Sequence, residues 1–212
     1  MPDAPSLSAL SALSALSALS ALSALSAVPP RVYLTGFMAA GKSTVGPLLA
    51  DRLGYRFLDL DWLVEARTGR TVAALFADGE PAFRAAERQA LAETTRGPRM
   101  VVATGGGALA DPGGLAVARG AGAVVWLRAS AAATLRRLGD AAGRPVLAGP
   151  DGRPLAGDAL ADRVRRLAAA REPYYAQADV VADADGPADA VALRVAEALR
   201  GWRRGPARPA RS

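Results

Sequence analysis

The stretch Gly36-Phe37-Met38-Ala39-Ala40-Gly41-Lys42-Ser43-Thr44 constrains this chain more than any other part of it. It has the spacing G-x-x-x-x-G-K-[ST]. Before it runs Arg31-Val32-Tyr33-Leu34-Thr35, which reads as a buried strand. After it, Val45, Leu48, Leu49 and Leu53 fall on one face of a helix that Gly54 stops. Strand, glycine-bounded turn and helix are the context in which this spacing carries a mechanism. Successive backbone N–H groups can wrap phosphate oxygens, and the helix N-terminus adds a favourable dipole. Lys42 is then placed to neutralise the β- and γ-phosphates, and the Ser43 hydroxyl to ligate Mg²⁺.

Composition sharpens this. Lys42 is the single lysine, every other basic residue being arginine, so the compact ammonium is retained at one position only. The chain has no cysteine and no histidine. Disulfides, thiolate nucleophiles, Cys-based zinc sites and imidazole catalysis are excluded, and acid–base work falls to Asp, Glu, Lys, Arg, Tyr or a bound metal. The lack of cysteine fits a cytoplasmic protein. Apolar residues make up 51% of the 212, enough for a packed core.

Further apolar runs alternate with helical patterns. Strands are expected at Tyr55 to Leu60, Met100 to Ala103, Ala123 to Leu127 and Val180-Val181. Helices are expected over 79–96, with Phe83, Ala86, Ala90 and Leu91 inward, from an N-cap at Ser130 to Leu138, around Leu160, Val164 and Leu167, and around Val191, Val195 and Leu199. Such alternation predicts an α/β protein with a parallel sheet covered on both faces. Ligands bind such sheets at the carboxyl ends of the strands. Gly36, the pair Asp59 and Asp61, and the run Gly105-Gly106-Gly107 all fall at strand ends. On an extended strand the two carboxylates would point to the same side, one suited to a metal shell and one to a substrate hydroxyl. Residues 139–157 are rich in Gly, Pro and Arg, lack an apolar period and read as a mobile lid.

The ends read differently. Residues 8–25 are six copies of Ser-Ala-Leu. A three-residue repeat winds its leucines around a helix instead of aligning them, and a serine at every third position makes a poor membrane span. Asp3 stands where a secretory signal would be basic. Residues 1–29 are therefore expected to be a low-complexity extension, 30–202 the folded domain and 203–212 a basic tail; translation starting near Val28 is one hypothesis for the repeat. The tail carries Arg203, Arg204, Arg208 and Arg211. Setting those four charges and that of Asp3 aside, the net +6 becomes +3 for the segment between, which suits an anionic small molecule as well as a nucleic acid.

Taken in order, these residues resemble the shikimate kinase family over about 31–200. The resemblance rests on the loop Gly36 to Thr44, Leu58-Asp59-Leu60-Asp61, Arg67-Thr68-Gly69-Arg70, Gly79-Glu80-Pro81-Ala82-Phe83-Arg84-Ala85-Ala86-Glu87, Thr104-Gly105-Gly106-Gly107-Ala108, Arg144-Pro145-Val146-Leu147 and Arg171-Glu172-Pro173-Tyr174-Tyr175. It implies a three-layer α/β/α P-loop kinase fold whose five-stranded parallel sheet has the order 2-3-1-4-5, and phosphorylation of the 3-hydroxyl of shikimate by ATP and Mg²⁺ on the route to chorismate and the aromatic amino acids. It further implies nucleotide binding by Gly36, Ala39, Ala40, Gly41, Lys42, Ser43, Thr44, Arg137 and Arg144, with Arg137 on the adenine. Asp61 would hold the reacting hydroxyl as base. Asp59 and Ser43 would lie at the metal. Arg84 and Arg171 would grip the substrate carboxylate, with Gly105, Gly106 and Gly107 along the substrate. Lys42, Asp61 and Arg144 would carry the chemistry, in a monomer acting on a small molecule and needing neither membrane nor nucleic acid. Ala39 departs from the pattern, standing where many small kinases have glycine. Glu87, three residues beyond Arg84 on one helix, can orient it.

Two other readings stay open on the residues alone. One is a related kinase for another hydroxylated acceptor, such as gluconate or a nucleoside monophosphate. The other is a nucleotide- or nucleic-acid-binding module without catalysis, recruited through its basic tail.

Overall fold

The computed structural model describes residues 28–139 and 144–202. The Ser-Ala-Leu repeats, the basic tail and the first part of the expected lid lie outside them. The strands are β1 (Arg31–Thr35), β2 (Arg56–Asp59), β3 (Met100–Ala103), β4 (Ala123–Arg128) and β5 (Val180–Asp183). They form one sheet of order β2-β3-β1-β4-β5 with every pairing parallel. The helices are α1 (Lys42–Leu53), α2 (Leu60–Thr68), α3 (Val72–Ala77), α4 (Glu80–Glu93), α5 (Pro112–Ala121), α6 (Ala131–Leu138), α7 (Gly157–Tyr175) and α8 (Ala188–Arg200).

Side-chain alternation along β1 divides the core. Val32 and Leu34 face one side with Val125 and Leu127, and pack on α1 and α8 through Leu49, Val191 and Val195. Tyr33 faces the other side with Val102 and Val124, and packs on α2, α4 and α5 through Val64, Leu91 and Leu115. Both faces are apolar, as a parallel sheet under helices requires. Val28 already belongs to the first of these layers, 3% exposed, two residues ahead of the expected start of the domain. Among the described residues no helix is long and apolar enough to cross a membrane.

A third apolar cluster sits at the carboxyl end of the sheet. Phe37 of the phosphate loop, Trp126, Leu138, Leu160, Val164 and Tyr175 enclose Leu147, which is fully buried. Leu147 belongs to the expected lid. A 3₁₀ turn over Pro145–Leu147 and two backbone bonds, Leu155 N–H to Leu147 O at 2.9 Å and Gly149 N–H to Arg153 O at 2.8 Å, fold the described part of that segment on itself. It thus needs one apolar anchor instead of an apolar period.

One expectation is corrected, and two helices are added. Strand β2 ends at Asp59, and α2 begins at Leu60. Asp59 is the N-cap of α2, its Oδ1 accepting the Asp61 N–H at 3.1 Å. The two carboxylates therefore meet across a strand-to-helix turn, not along one face of a strand, because an aspartate at that position satisfies a free helix N–H. Helices α3 and α5 carry too weak a period to be read in the sequence: α3 is one and a half turns long, and α5 holds Gly113, Gly114 and Gly120. Their caps are nevertheless ordinary, Thr71 accepting from Ala74 N–H and Asp111 from Gly114 N–H.

Candidate active site

The phosphate loop leaves β1 through Gly36, whose φ is +141°. A Cβ there would come within 2.6 Å of the Leu127 carbonyl oxygen, so the loop can lie this close to β4 only with glycine. Gly41 caps α1 at φ +101°. Ala39 sits at φ +57°, a left-handed conformation that costs an L-residue about 1 kcal/mol and that glycine would adopt freely. The departure noted in the sequence is thus a strained point of the loop.

Lys42 Nζ donates to the carbonyls of Gly36 at 2.8 Å and Phe37 at 3.0 Å. It spans the open side of the loop, where phosphate oxygens would compete for its protons. Burial pulls the Lys42 pKa down to about 8, opposed by Asp61 and Asp59, with Arg171 adding to the decrease. The Ser43 hydroxyl donates to Asp59 Oδ2 at 2.6 Å, and Asp59 is buried. These are hard oxygen donors of the kind Mg²⁺ takes. Among the described residues no cluster of three or more acidic side chains could cage a metal, so an ion here would complete its shell from phosphate oxygens and water.

A cavity of about 420 Å³ opens beside the loop, lined by residues 39–45, Arg137, Arg144 and the turn through Ala184, Gly186 and Ala188. Arg137 bridges its walls, donating to the carbonyls of Ala184 at 2.6 Å, Gly186 at 3.3 Å and Ala40 at 3.4 Å. Every nucleotide-side residue named from the sequence except Gly36 lines this cavity, and Gly36 starts the loop that forms it. Arg153, the other lid arginine, is 87% exposed and reaches Asp151 at 3.9 Å.

The second half of the site lies at the end of β3. Each of three consecutive glycines leaves room for a different side chain. A Cβ on Gly105 would lie 2.5 Å from Glu87 Oε1 and 3.4 Å from Asp61 Oδ1. One on Gly106 would lie 3.0 Å from Arg171 Nη1, and one on Gly107 would lie 2.5 Å from Arg84 Nη2. Two carboxylates and two guanidiniums thus converge on a side-chain-free stretch of backbone. Arg84 is fixed by Glu87 at 2.5 Å and by Glu80 at 3.1 Å. Arg171 lies over the Phe37 ring at 5.9 Å, which ties this half to the phosphate loop.

Electrostatically the cluster is under tension. Asp61 Oδ1 and Glu87 Oε1 are buried with no hydrogen-bond partner. Burial raises the pKa of both groups; Asp59 adds to the rise at Asp61, whereas Arg84 opposes it at Glu87. Unpaired buried acceptors are costly and mark a place where a donor from outside can bind. Sequence reasoning assigned Glu87 only the orienting of Arg84. Its second oxygen also faces the cradle, which spacing on one helix could not reveal.

A phosphate loop, a nucleotide-sized cavity beside it and an adjoining cluster of charged groups on a 2-3-1-4-5 sheet define a P-loop phosphotransferase. Comparison with known proteins narrows the class. The model of the family described as Shikimate kinase matches residues 38–200. Shikimate kinase of Salinibacter ruber is 46% identical over 173 residues, which is 81% of this chain and 85% of that protein. That of Chlorobium luteolum is 44% identical over 155 residues, 73% of this chain and 77% of that protein. Among solved structures, shikimate kinase from Acinetobacter baumannii in complex with shikimate superimposes with a TM-score of 0.72 at 32% identity, covering 81% of this chain and 93% of that one. The enzyme from Bacteroides thetaiotaomicron gives 0.71 at 35% identity, over 80% and 97%. The chain belongs to the shikimate kinase family.

Proposed function

We propose that this protein transfers the γ-phosphoryl group of ATP to the 3-hydroxyl of shikimate, with Mg²⁺, giving shikimate 3-phosphate for chorismate and aromatic amino acid synthesis. The observation that carries the reading is the glycine cradle, where Asp61 and Glu87 face Gly105, Arg171 faces Gly106 and Arg84 faces Gly107. A small acceptor bearing one carboxylate and several hydroxyls matches that set. Two guanidinium forks suit a planar carboxylate, and the unpartnered carboxylate oxygens suit hydroxyl donors. The Acinetobacter relative is described as binding shikimate. Gluconate or a nucleoside monophosphate as acceptor is not favoured, since no observation selects either.

In this reading the acceptor hydroxyl attacks the γ-phosphorus, the bond to the β–γ bridging oxygen breaks, ADP departs and the hydroxyl proton passes to Asp61. Lys42 leaves the Gly36 and Phe37 carbonyls for the phosphates. Arg144 supplies charge from the lid, and Arg137 holds the base side of the cavity. Arg84 and Arg171 fix the acceptor carboxylate, and with it the choice of hydroxyl. Ser43 and Asp59 would hold Mg²⁺, which when bound neutralises charge on the β- and γ-oxygens. Closure of the lid over the site would exclude water, which would otherwise take the phosphoryl group. A monomer acting in the cytoplasm, with the Ser-Ala-Leu repeats and residues 203–212 outside the catalytic unit, completes the proposal.

The test is ADP release by the purified protein with ATP and Mg²⁺, comparing shikimate, gluconate, AMP and no acceptor. Release strictly dependent on shikimate is expected. Release with another acceptor and none with shikimate would overturn the substrate assignment.

A further inference from the structure

Tyr175 has no role in the chemistry above, yet it reaches the centre of the cradle. It is the last residue of α7 and lies one turn beyond Arg171, so both side chains leave the same helical face. Both arrive at Gly106: a Cβ there would be 3.0 Å from Arg171 Nη1 and 3.6 Å from the Tyr175 hydroxyl. That hydroxyl donates to the Gly106 carbonyl at 2.8 Å. The ring is 3% exposed and rests on Trp126, with centroids 5.9 Å apart, so the phenol is held on its far side too.

The bond matters because of which carbonyl it grips. The Gly106 C=O shares one rigid peptide plane with the Gly107 N–H, so fixing the oxygen fixes the direction of the N–H. Glycines flank that plane on both sides and offer no side chain to restrain its rotation. We propose that Tyr175 is a positioning residue for the acceptor: its hydroxyl locks the Gly106–Gly107 peptide so that the Gly107 N–H faces the acceptor, and registers that N–H against Arg171 on the same helix. The proposal rests on reading the cradle as the acceptor site. Burial raises the Tyr175 pKa, with Arg171 opposing, so the phenol keeps the proton it donates.

Full-length wild type, Tyr175→Phe and Tyr174→Phe decide it. Tyr174 is the exposed neighbour and serves as control. The phenylalanine keeps the contact with Trp126 and removes only the hydroxyl. Expected for Tyr175→Phe are a shikimate KM raised about tenfold, an ATP KM within about twofold of wild type and a Tm lowered by no more than about a few degrees, with Tyr174→Phe indistinguishable from wild type. In the ligand-free protein, the ¹⁵N order parameter of the Gly107 amide should fall from about 0.85 toward about 0.6. A Gly107 amide as rigid as in wild type would overturn the proposal, as would shikimate and ATP KM values rising together. Failure of the wild type to use shikimate would count against the acceptor assignment alone; the order parameter, which needs no substrate, then decides the role of Tyr175.

Discussion

The nucleotide half of the site is a single run from Gly36 to Thr44 with a helix start behind it, whereas the acceptor half is gathered from α2, α4, the end of β3 and α7. The first would hold its ligand mainly with backbone N–H groups and the end of a helix. The second uses charged side chains, and pays for them in unpartnered carboxylate oxygens and shifted pKa values. Main-chain recognition of phosphate suits a group every kinase of this class shares. Side-chain recognition suits the partner that distinguishes one kinase from another. Substitutions in the two halves should therefore fail in different ways.

Lys42→Ala should have the largest effect, lowering kcat/KM for ATP about a thousandfold, because no other lysine exists in the chain to replace it. Steady-state kinetics with varied ATP check this. In wild type the same parameter should decline above about pH 8, where Lys42 loses its proton.

Asp61→Asn should lower kcat by about 10² to 10⁴ while leaving the ATP KM nearly unchanged. It should also raise the Tm at pH 7. The folded-state pKa of Asp61 lies above its ordinary 3.8. Between the two values the folded chain binds the extra proton, so rising pH lowers stability as that proton leaves, and a neutral amide escapes the cost. The acid limb of kcat/KM for the acceptor, lying above the usual aspartate range, should vanish in this variant. A lower Tm would contradict the assignment of burial as the cause of the shift.

Arg171→Lys should raise the acceptor KM about tenfold with a smaller effect on kcat, since a point charge cannot reproduce the fork. An ATP KM moving in parallel would erase the distinction between the halves. The smallest effect is expected from Ala39→Gly, which relieves a positive φ and should change stability by about 1 kcal/mol or less without altering the acceptor KM, as thermal denaturation and kinetics would show.

The contrast between the halves also explains what could be read before folding. The phosphate loop is contiguous, and its strand and helix carry plain apolar periods, so Gly36 through Thr44 were legible together. Asp61 was legible as a candidate base but not as a residue of α2, because Asp59 looks like strand until it is seen capping a helix. Arg84 and Glu87 look like an ordinary surface pair three residues apart; only packing against Gly105 and Gly107 makes Glu87 a buried, half-satisfied carboxylate. A glycine run can be counted in a sequence, but the side chain each glycine admits comes from a segment tens of residues away. For the same reason the reach of Tyr175 to Gly106 left no local signal.

The most direct test of the acceptor half compares shikimate with its methyl ester, whose hydroxyls are intact and whose carboxylate charge is gone. In wild type the ester should lose about a hundredfold or more in kcat/KM, and in Arg84→Ala and Arg171→Ala variants the gap between the two substrates should narrow. Equal turnover of acid and ester by the wild type would contradict a carboxylate clamp on the glycine cradle.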